Sequence, residues 1–283
     1  MTIQGWTRRD MIKWSVAGAL WRSMPLVAQE KKISIGVQLY SVRDDCAKDF
    51  DAALKQIAEM GFEGVEFAGY YKYKDDAPGL KKKLDELGLK AAGTHIGAAS
   101  FQGDSLKQTI EFHRTIGCKF LIVPGEPRFT DPEKSKEYAE LMNKTAQALK
   151  NEGMFCGHHN HTAEFKKADD KTYWDLFGER TSKDVILQMD IGWVRAAGLD
   201  PVDLIRKFPG RIKTTHVKAK PPSGQGKAYI GQDDYDWKRV LSACSGMGGT
   251  DWFLIEQEEY PEGKTPMECT KISLDGLKAI LKR

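Results

Sequence analysis

The feature that most constrains the fold of this chain is a repeat of short apolar runs and longer amphipathic segments, which begins at Lys32. In the amphipathic segments, apolar residues recur near the helical period, as at Phe50, Leu54, Ile57 and Met60. Short β-branched or apolar runs that alternate with helices are typical of βα units around a parallel sheet. We therefore predict eight strands, at residues 33–39, 64–67, 90–95, 120–124, 155–160, 185–190, 212–218 and 252–256.

Glycines mark the ends of the predicted helices. Gly61, Gly88, Gly117 and Gly153 each precede a predicted strand, where a left-handed residue commonly ends a helix. An open, doubly wound sheet is the alternative arrangement, but the chain has no Gly-x-Gly-x-x-Gly after the first strand and no P-loop. No linker divides the repeat, so we predict one α/β domain over residues 31–283, a closed (β/α)8 TIM barrel.

The first thirty residues differ from the rest of the chain. Arg8 and Arg9 follow Thr7, Lys13 comes four positions after the pair, and a mildly apolar run covers residues 14–20. This pattern resembles a twin-arginine export signal over residues 1–30, which predicts a periplasmic protein. The alternative is a frayed amphipathic N-terminal helix on a cytoplasmic protein. The apolar run is too short to span a bilayer, so we expect no membrane association after signal removal.

Charge and cysteine content argue against two kinds of function. The formal net charge of +3 is small and dispersed, so we expect no nucleic-acid partner. The five cysteines are widely separated, odd in number and never spaced as Cys-x-x-Cys. This pattern argues against a disulfide framework and against a zinc–thiolate site, and it predicts buried thiols.

Ionisable side chains collect at the ends of the predicted strands, which converge on one mouth of a barrel. Charges at buried strand ends are costly unless they are paired or bound to a metal. Four adjacent strands end in His159, Asp190, His216 and Glu256. Imidazole and carboxylate ligands without thiolate suit Mn, Co, Zn, Fe or Ni rather than calcium. We predict that these four residues hold one divalent ion, whose identity the ligands alone leave open.

Histidines are densest in the run His158-His159-Asn160-His161. Alternation along a strand puts His159 and His161 on one face and His158 and Asn160 on the other. If His159 faces the lumen, His161 lies just above it at the rim and His158 packs against the helices. His113 lies within a predicted helix, and we expect a structural role for it.

Five segments together resemble a known family. They are Gly-Val-Gln-Leu-Tyr-Ser-Val-Arg (36–43), His-His-Asn-His-x-x-Glu-Phe (158–165), Met-Asp-Ile-Gly-Trp (189–193), His-Val-Lys (216–218) and Ile-Glu (255–256). Their order and content are similar to the xylose isomerase-like TIM barrels, often called sugar phosphate isomerases/epimerases, which include ketose 3-epimerases and inosose dehydratases. The match extends from residue 33 to residue 256 and is specific for the superfamily rather than for one substrate.

The resemblance implies a metal site and shows where this chain departs from the family. Family members typically hold the ion with Glu, Asp, His and Glu from the last four strands, and Asp190, His216 and Glu256 match the last three. His159 stands at the position of the first glutamate, and Trp193 replaces a histidine that is common three residues after the aspartate. Glu164 is therefore a rival that could reach back to the metal or act as a base.

The loss of one glutamate bears on the mechanism that the resemblance implies. Ketose epimerases of the family use two metal-bound glutamates on opposite faces of the substrate carbon, one removing a proton and the other returning it. A single base, Glu256 or Glu164, would still support proton transfer on one face or β-elimination. By position we assign further catalytic roles to His161 and Lys218, and substrate binding to Glu66, His95 and Trp193. Two of these roles have simpler alternatives, since Glu66 could pair with Arg43 and Trp193 could only fill the core.

The first prediction for function is a metal-dependent isomerase or epimerase that acts through an enediolate on a small sugar or keto-sugar. The alternative is a metal-dependent lyase or dehydratase that eliminates water or an alcohol from a 3-keto sugar or glycoside. The third hypothesis is a non-catalytic sugar-binding barrel. Small-molecule sugars are the expected partners in each case.

Two further expectations concern the surface. Barrels of this group are often dimers or tetramers, so the resemblance allows a homo-oligomer, with Tyr70, Tyr71 and Tyr73 as exposed aromatic residues for a subunit contact or a substrate rim. A loop rich in glycine and proline at residues 221–226 follows the seventh strand and is a candidate lid over the mouth.

Overall fold

The structure, a computed structural model, describes residues 32–221 and 227–282. The predicted export signal at residues 1–30 lies outside the described residues, as does nearly all of the candidate lid at residues 221–226. From Ile33 onward the described residues belong to one compact unit.

Eight parallel strands close into a barrel, which confirms the predicted fold class. Each strand pairs with the strands before and after it in the chain, and the last pairs with the first, Ser34 lying opposite Trp252. Closure pairs every strand of the barrel on both sides. The strands are β1 (Ser34–Gln38), β2 (Gly64–Phe67), β3 (Lys90–His95), β4 (Phe120–Val123), β5 (Phe155–His159), β6 (Ile186–Asp190), β7 (Thr214–Val217) and β8 (Trp252–Ile255).

Helices surround the barrel. They are α1 (Arg43–Lys48), α2 (Phe50–Met60), α3 (Ala77–Leu87), α4 (Gly103–Ile116), α5 (Lys134–Lys150), α6 (Tyr173–Arg180), α7 (Ile191–Ala196), α8 (Pro201–Lys207), α9 (Trp237–Ala243) and α10 (Pro266–Leu281). Gly61, Gly88 and Gly117 end α2, α3 and α4 with φ of +90°, +68° and +75°, the left-handed conformation predicted for them. None of the helices in the described part of the chain is long and apolar enough to cross a membrane.

Side chains alternate across each strand, and this alternation separates two apolar regions. Residues that face the helices, such as Leu121 and Leu187, belong to a large core between the barrel and the helices. A separate apolar cluster consists of Phe120, Ile122 and Ile186 with Phe155 and Trp252 packed against them. Because these residues alternate with helix-facing neighbours, the second cluster fills the lumen near the N-terminal ends of the strands.

Two predictions about side-chain exposure have different outcomes. The five cysteines are all buried and none of them forms a disulfide, as predicted. Tyr70, Tyr71 and Tyr73, in contrast, are buried or half-buried, so the prediction of exposed aromatic residues there was wrong. The Tyr70 hydroxyl is turned inward, 2.6 Å from His113 Nε2, and the Tyr71 ring packs on Phe50. His113 therefore has the structural role expected of it.

We expect Gly157→Ala to destabilise the barrel. A Cβ at this position would lie 2.6 Å from the Ile186 carbonyl oxygen and 2.9 Å from Ile122 Cδ1, so β5 and its neighbours would have to shift. Such overpacking costs about 1–3 kcal/mol, and the free energy of unfolding from urea denaturation should fall by that amount. Gly125→Ala is the matched control, because nothing lies within 4 Å of its added Cβ. An equal loss of stability in both variants would contradict the close-packing argument.

Candidate metal centre

Four side chains from neighbouring strands meet in the lumen at the C-terminal end of the barrel. His159, Asp190 and His216 lie on β5, β6 and β7, and Glu256 directly follows β8. One nitrogen or oxygen atom of each lies within 4.8 Å of the others, and all four residues are buried. The fold thus brings together the four residues that the sequence predicts as metal ligands.

Asp190 carries the clearest sign that this group suits a cation. Its Oδ1 atom accepts a hydrogen bond from the Trp193 backbone N–H at 2.8 Å and so caps α7. Its Oδ2 atom is buried and has no hydrogen-bond partner within the described residues. Burial raises the pKa of Asp190 to about 7, and the nearby Glu256 carboxylate adds to the rise. A divalent ion among these donors would satisfy the unpartnered oxygen, so the residues present fit such an ion.

His216 lies between two carboxylates. Its Nδ1 atom is 3.1 Å from Glu256 Oε2, and its Nε2 atom is 2.6 Å from Glu66 Oε2. Burial opposes the charged form, but Glu66 and Glu256 together raise the pKa of His216 to about 10. A metal ligand of this kind commonly donates its second ring N–H to a carboxylate, which orients the ring. Glu66 stands in the position for that role.

Glu66 is the carboxylate on which the buried polar groups converge. It accepts hydrogen bonds from Gln38 Nε2 and Gln188 Nε2, each at 2.7 Å, in addition to the contact with His216. His95 Nε2 lies 3.2 Å from Glu66 Oε2. Burial opposes its charge, but His95 and His216 hold the pKa of Glu66 below its usual value. Each oxygen of this carboxylate therefore already has a partner within the protein.

Glu66 lies where it can orient His216. Its side chain is 0% exposed and its Oε2 atom is 2.6 Å from His216 Nε2, while its predicted role in substrate binding stays a prediction. Gly93 leaves room for it, because a Cβ there would lie 2.7 Å from Glu66 Oε1. Arg43 is not its partner, since that guanidinium donates to the Tyr260 hydroxyl and to the Tyr40 carbonyl.

Gln188 is a residue of the site that the sequence pattern did not single out. Its Oε1 atom lies 3.0 Å from His159 Nδ1 and 2.8 Å from His95 Nε2, while its amide donates to Glu66. The sequence did contain a sign of it, a polar residue inside an apolar strand, but the prediction was based only on ionisable side chains at strand ends and Gln188 has an uncharged amide.

His159 is held in the form that binds metals. Burial and the nearby His216 and His95 lower the pKa of His159 well below its usual value, which keeps the imidazole neutral and able to bind a metal.

His95 offers a second arrangement of possible ligands. His95, His159 and His216 also lie at metal-ligand spacing, and the His95 ring stacks on that of His216 with centroids 5.3 Å apart. His95 Nε2 is already engaged by Gln188 and lies close to Glu66, however. The group that contains Asp190 therefore has the stronger claim, because it includes a buried carboxylate oxygen, Asp190 Oδ2, that has no hydrogen bond within the described residues and lies 3.5 Å from the Lys218 ammonium.

Lys218 lies at the upper edge of this group. Its Nζ atom is 3.0 Å from Glu256 Oε2 and 3.5 Å from Asp190 Oδ2, and it also contacts Glu258. These carboxylates raise the pKa of Lys218 although burial opposes the charge. Gly192 permits this approach, because a Cβ there would lie 2.8 Å from the Lys218 carbonyl oxygen. The ammonium group is thus held beside the oxygen atoms that a substrate would approach.

Trp193 and His161 complete the rim above the ligand group. The Trp193 ring centroid lies 4.7 Å from Lys218 Nζ and 5.6 Å from the His161 ring. The His161 ring is also 4.9 Å from that of His159, so it lies above this residue as the strand alternation predicts. The roles of Trp193 in sugar stacking and of His161 in catalysis remain predictions.

Glu164 lies apart from the ligand group. Its Oε2 atom accepts the His161 backbone N–H at 2.8 Å, and its Oε1 atom is 3.5 Å from His158 Nε2. His158 faces the helices, where its ring stacks on Phe129 and its Nδ1 atom is 3.0 Å from the Tyr138 hydroxyl. Glu164 is therefore directed towards the outer layer, and it belongs to neither group of possible metal ligands.

Known proteins match this chain over most of its length. A family model described as xylose isomerase-like TIM barrel matches residues 54–280. The inosose dehydratase of Geobacillus kaustophilus is 25% identical over 264 residues, which cover 79% of this chain and 84% of the relative. The crystal structure of a sugar phosphate isomerase/epimerase from Parabacteroides distasonis is 27% identical, with a TM-score of 0.73 over 87% of this chain and 98% of that one. The IOLI protein, crystallised with a bound zinc atom, shares the fold at 12% identity, with a TM-score of 0.65 over 88% of this chain and 98% of that one.

Metal content tests the ligand group directly. We expect about one transition-metal ion per chain in the parent protein and essentially none in an Asp190→Ala/His216→Ala variant, because two of the four donors are lost. Elemental analysis after incubation with Mn²⁺, Co²⁺ or Zn²⁺ provides the measurement. Asp184→Ala is the control, since that carboxylate is 49% exposed and lies outside the group. A parent protein that binds none of these ions would contradict the metal centre.

Glu66→Gln should weaken metal binding without removing a ligand. The amide keeps the size of the side chain but replaces the charged acceptor that lies 2.6 Å from His216 Nε2. Loss of such a partner typically costs about 10–100-fold in metal affinity, which calorimetric titration with Co²⁺ would measure. Glu59→Gln, at an exposed position, is the control. If both variants bind Co²⁺ like the parent, Glu66 does not position His216.

Proposed function

Because this chain belongs to the xylose isomerase-like TIM barrel family, we propose that it is a metal-dependent lyase that eliminates water or an alcohol from a keto-sugar or keto-cyclitol. The observation that carries the proposal is the buried imidazole of His159. Epimerisation with two bases would require a second carboxylate at this position of the ligand group. Asp190 caps α7 through Oδ1 and offers Oδ2 to the ion, so Glu256 is the carboxylate of the group left to move a proton. Proton removal on one face of the substrate is sufficient for β-elimination.

The side chains around the ligand group supply the steps of an elimination. A divalent ion bound there would polarise the substrate carbonyl and acidify the adjacent C–H bond. Glu256 would hold the ion through one carboxylate oxygen and takes that proton with the other; His216 and Lys218, both in contact with Oε2, orient the carboxylate. Lys218 stabilises the negative charge that develops on the carbonyl oxygen. His161, at the rim, donates a proton to the departing hydroxyl, so that a carbon–carbon double bond forms as water leaves.

The names of relatives support this class of reaction. The Geobacillus kaustophilus relative and a Clostridium tetani relative, 22% identical over 84% of this chain, are both named inosose dehydratases. Dehydration is an elimination of water, and it needs one base and one acid, the roles proposed above for Glu256 and His161. The zinc atom of the IOLI protein supports a divalent ion in a barrel of this shape, and the ligand set here leaves Mn, Co, Zn, Fe and Ni as candidates.

Isomerisation or epimerisation is the second candidate. The Parabacteroides distasonis protein, 27% identical, is named a sugar phosphate isomerase/epimerase. Isomerisation needs the same proton removal by Glu256 and the same charge stabilisation by Lys218, but the proton then returns to a neighbouring atom. The two candidates therefore share a site and differ in whether a leaving group departs.

The test is to incubate the metal-loaded protein in D₂O with an inosose and, separately, with a 3-keto-glucoside. Mass spectrometry should show loss of water or of the aglycone alcohol, and Glu256→Gln should lower the rate by about 10²–10⁴-fold. Glu164→Gln is the matched control and should retain most of the activity, because its carboxylate faces His158. Deuterium incorporation without loss of mass would assign the second candidate. If neither reaction occurs, both are contradicted and the sugar-binding barrel becomes the leading hypothesis.

A further inference from the structure

The balance of charge at the mouth bears on the class of substrate. Four carboxylates lie in or directly above the ligand layer, namely Glu66, Asp190, Glu256 and Glu258. Lys218 is the lysine that stands among them, with a side chain that is 4% exposed. In the metal-loaded site His216 would be neutral, because an imidazole must lose its extra proton to bind a metal, so a divalent ion together with Lys218 would still leave this group with an excess of negative charge. An excess of negative charge around the ligand group repels an anionic ligand.

An anionic substituent on the substrate would have to compete with the carboxylates that already surround Lys218. In addition to Glu256 and Asp190, Lys218 contacts Glu258, whose side chain is 28% exposed. A metal ion bound by Asp190 and Glu256 would neutralise part of the negative charge of those two carboxylates, which would then attract Lys218 less strongly. Glu258, which lies outside the ligand group, would then be the counter-ion of Lys218.

Two of the neighbouring basic residues, Lys220 and Arg128, are paired with carboxylates, while Arg43 donates to the Tyr260 hydroxyl and the Tyr40 carbonyl. Lys220, which lies over the same Trp193 ring at 4.3 Å, is 3.1 Å from Glu259. Arg128, which follows β4, makes two hydrogen bonds to Glu126, at 2.8 and 3.0 Å. A phosphate-binding device would instead offer arginines, lysines or a run of backbone N–H groups.

We propose that this site selects an uncharged keto-sugar or keto-cyclitol and rejects phosphorylated or carboxylated analogues, with Glu258 as a specificity-determining residue. An anionic substituent beside Lys218 would have to displace Glu258 and would meet an excess of negative charge. The inference rests on the proposed function of the site, but it concerns binding and does not depend on whether elimination follows.

Binding measurements on the metal-loaded protein test the inference without turnover. D-fructose, D-fructose 6-phosphate and 5-keto-D-gluconate are suitable probes, because each carries a ketone and they differ in charge. Calorimetric titration should show that the parent protein binds D-fructose at least about tenfold more tightly than either anion. Glu258→Gln frees Lys218 and should strengthen 5-keto-D-gluconate binding by about tenfold, while D-fructose binding stays within about twofold.

Glu259→Gln is the matched control, because it removes the adjacent rim carboxylate and frees Lys220 instead of Lys218. An equal gain in both variants would overturn the role of Glu258, and so would the absence of any gain in Glu258→Gln. Tighter binding of D-fructose 6-phosphate than of D-fructose by the parent, or no binding of any probe, would overturn the inference itself. Thermal unfolding confirms that each variant is folded.

The inference and the proposed function fail separately. If the protein shows the expected binding preference but catalyses no elimination, only the proposed function is contradicted. If it eliminates from phosphorylated sugars in preference to neutral ones, only this inference is contradicted.

Discussion

The burial of negative charge at the centre of the barrel is the constraint on which the rest of the site depends. Glu66 and Asp190 are 0% exposed and Glu256 is 6% exposed, so each needs hydrogen-bond donors or positive charge close by. Glu66 obtains donors from Gln38, Gln188 and His216. Asp190 retains one oxygen without a hydrogen bond in the described part of the chain, and the Lys218 ammonium at 3.5 Å is a positive charge beside it.

The lumen is apolar at the N-terminal ends of the strands and polar at their C-terminal ends, where the ligand group lies. Trp252 and Ile186 belong to the apolar cluster at the N-terminal ends of the strands, which excludes water beneath the ligand layer. Above it, donors held on rigid strands aim at one small volume, so little reorganisation is needed when charge develops there. In the proposed mechanism, His159 in place of a second carboxylate limits proton transfer to one face, although the barrel itself would permit either arrangement.

Much of the fold could be predicted from local pattern. The eight strands lie within two residues of the predicted bounds at each end, as in the seventh, where 212–218 was expected and Thr214–Val217 is observed. The ligand group could also be predicted, because parallel strands in a barrel place all their C-terminal ends at one mouth. The exposure of Tyr70 and Tyr73 was predicted wrongly, since a loop position says little about the rings that pack on it.

The sequence by itself thus determined the barrel, the face of each strand that turns inward, and the residue types available at the mouth. These properties follow from hydrophobic periodicity and from glycine placement, which act over a few residues. Only the tertiary structure decided which inward-facing groups touch, such as Glu66 with His216 across 150 positions of sequence, and that Glu164 turns to His158 instead of the metal site. The physical reason is that strand alternation sets the direction of a side chain, whereas its partner depends on how closure staggers the strands around the lumen.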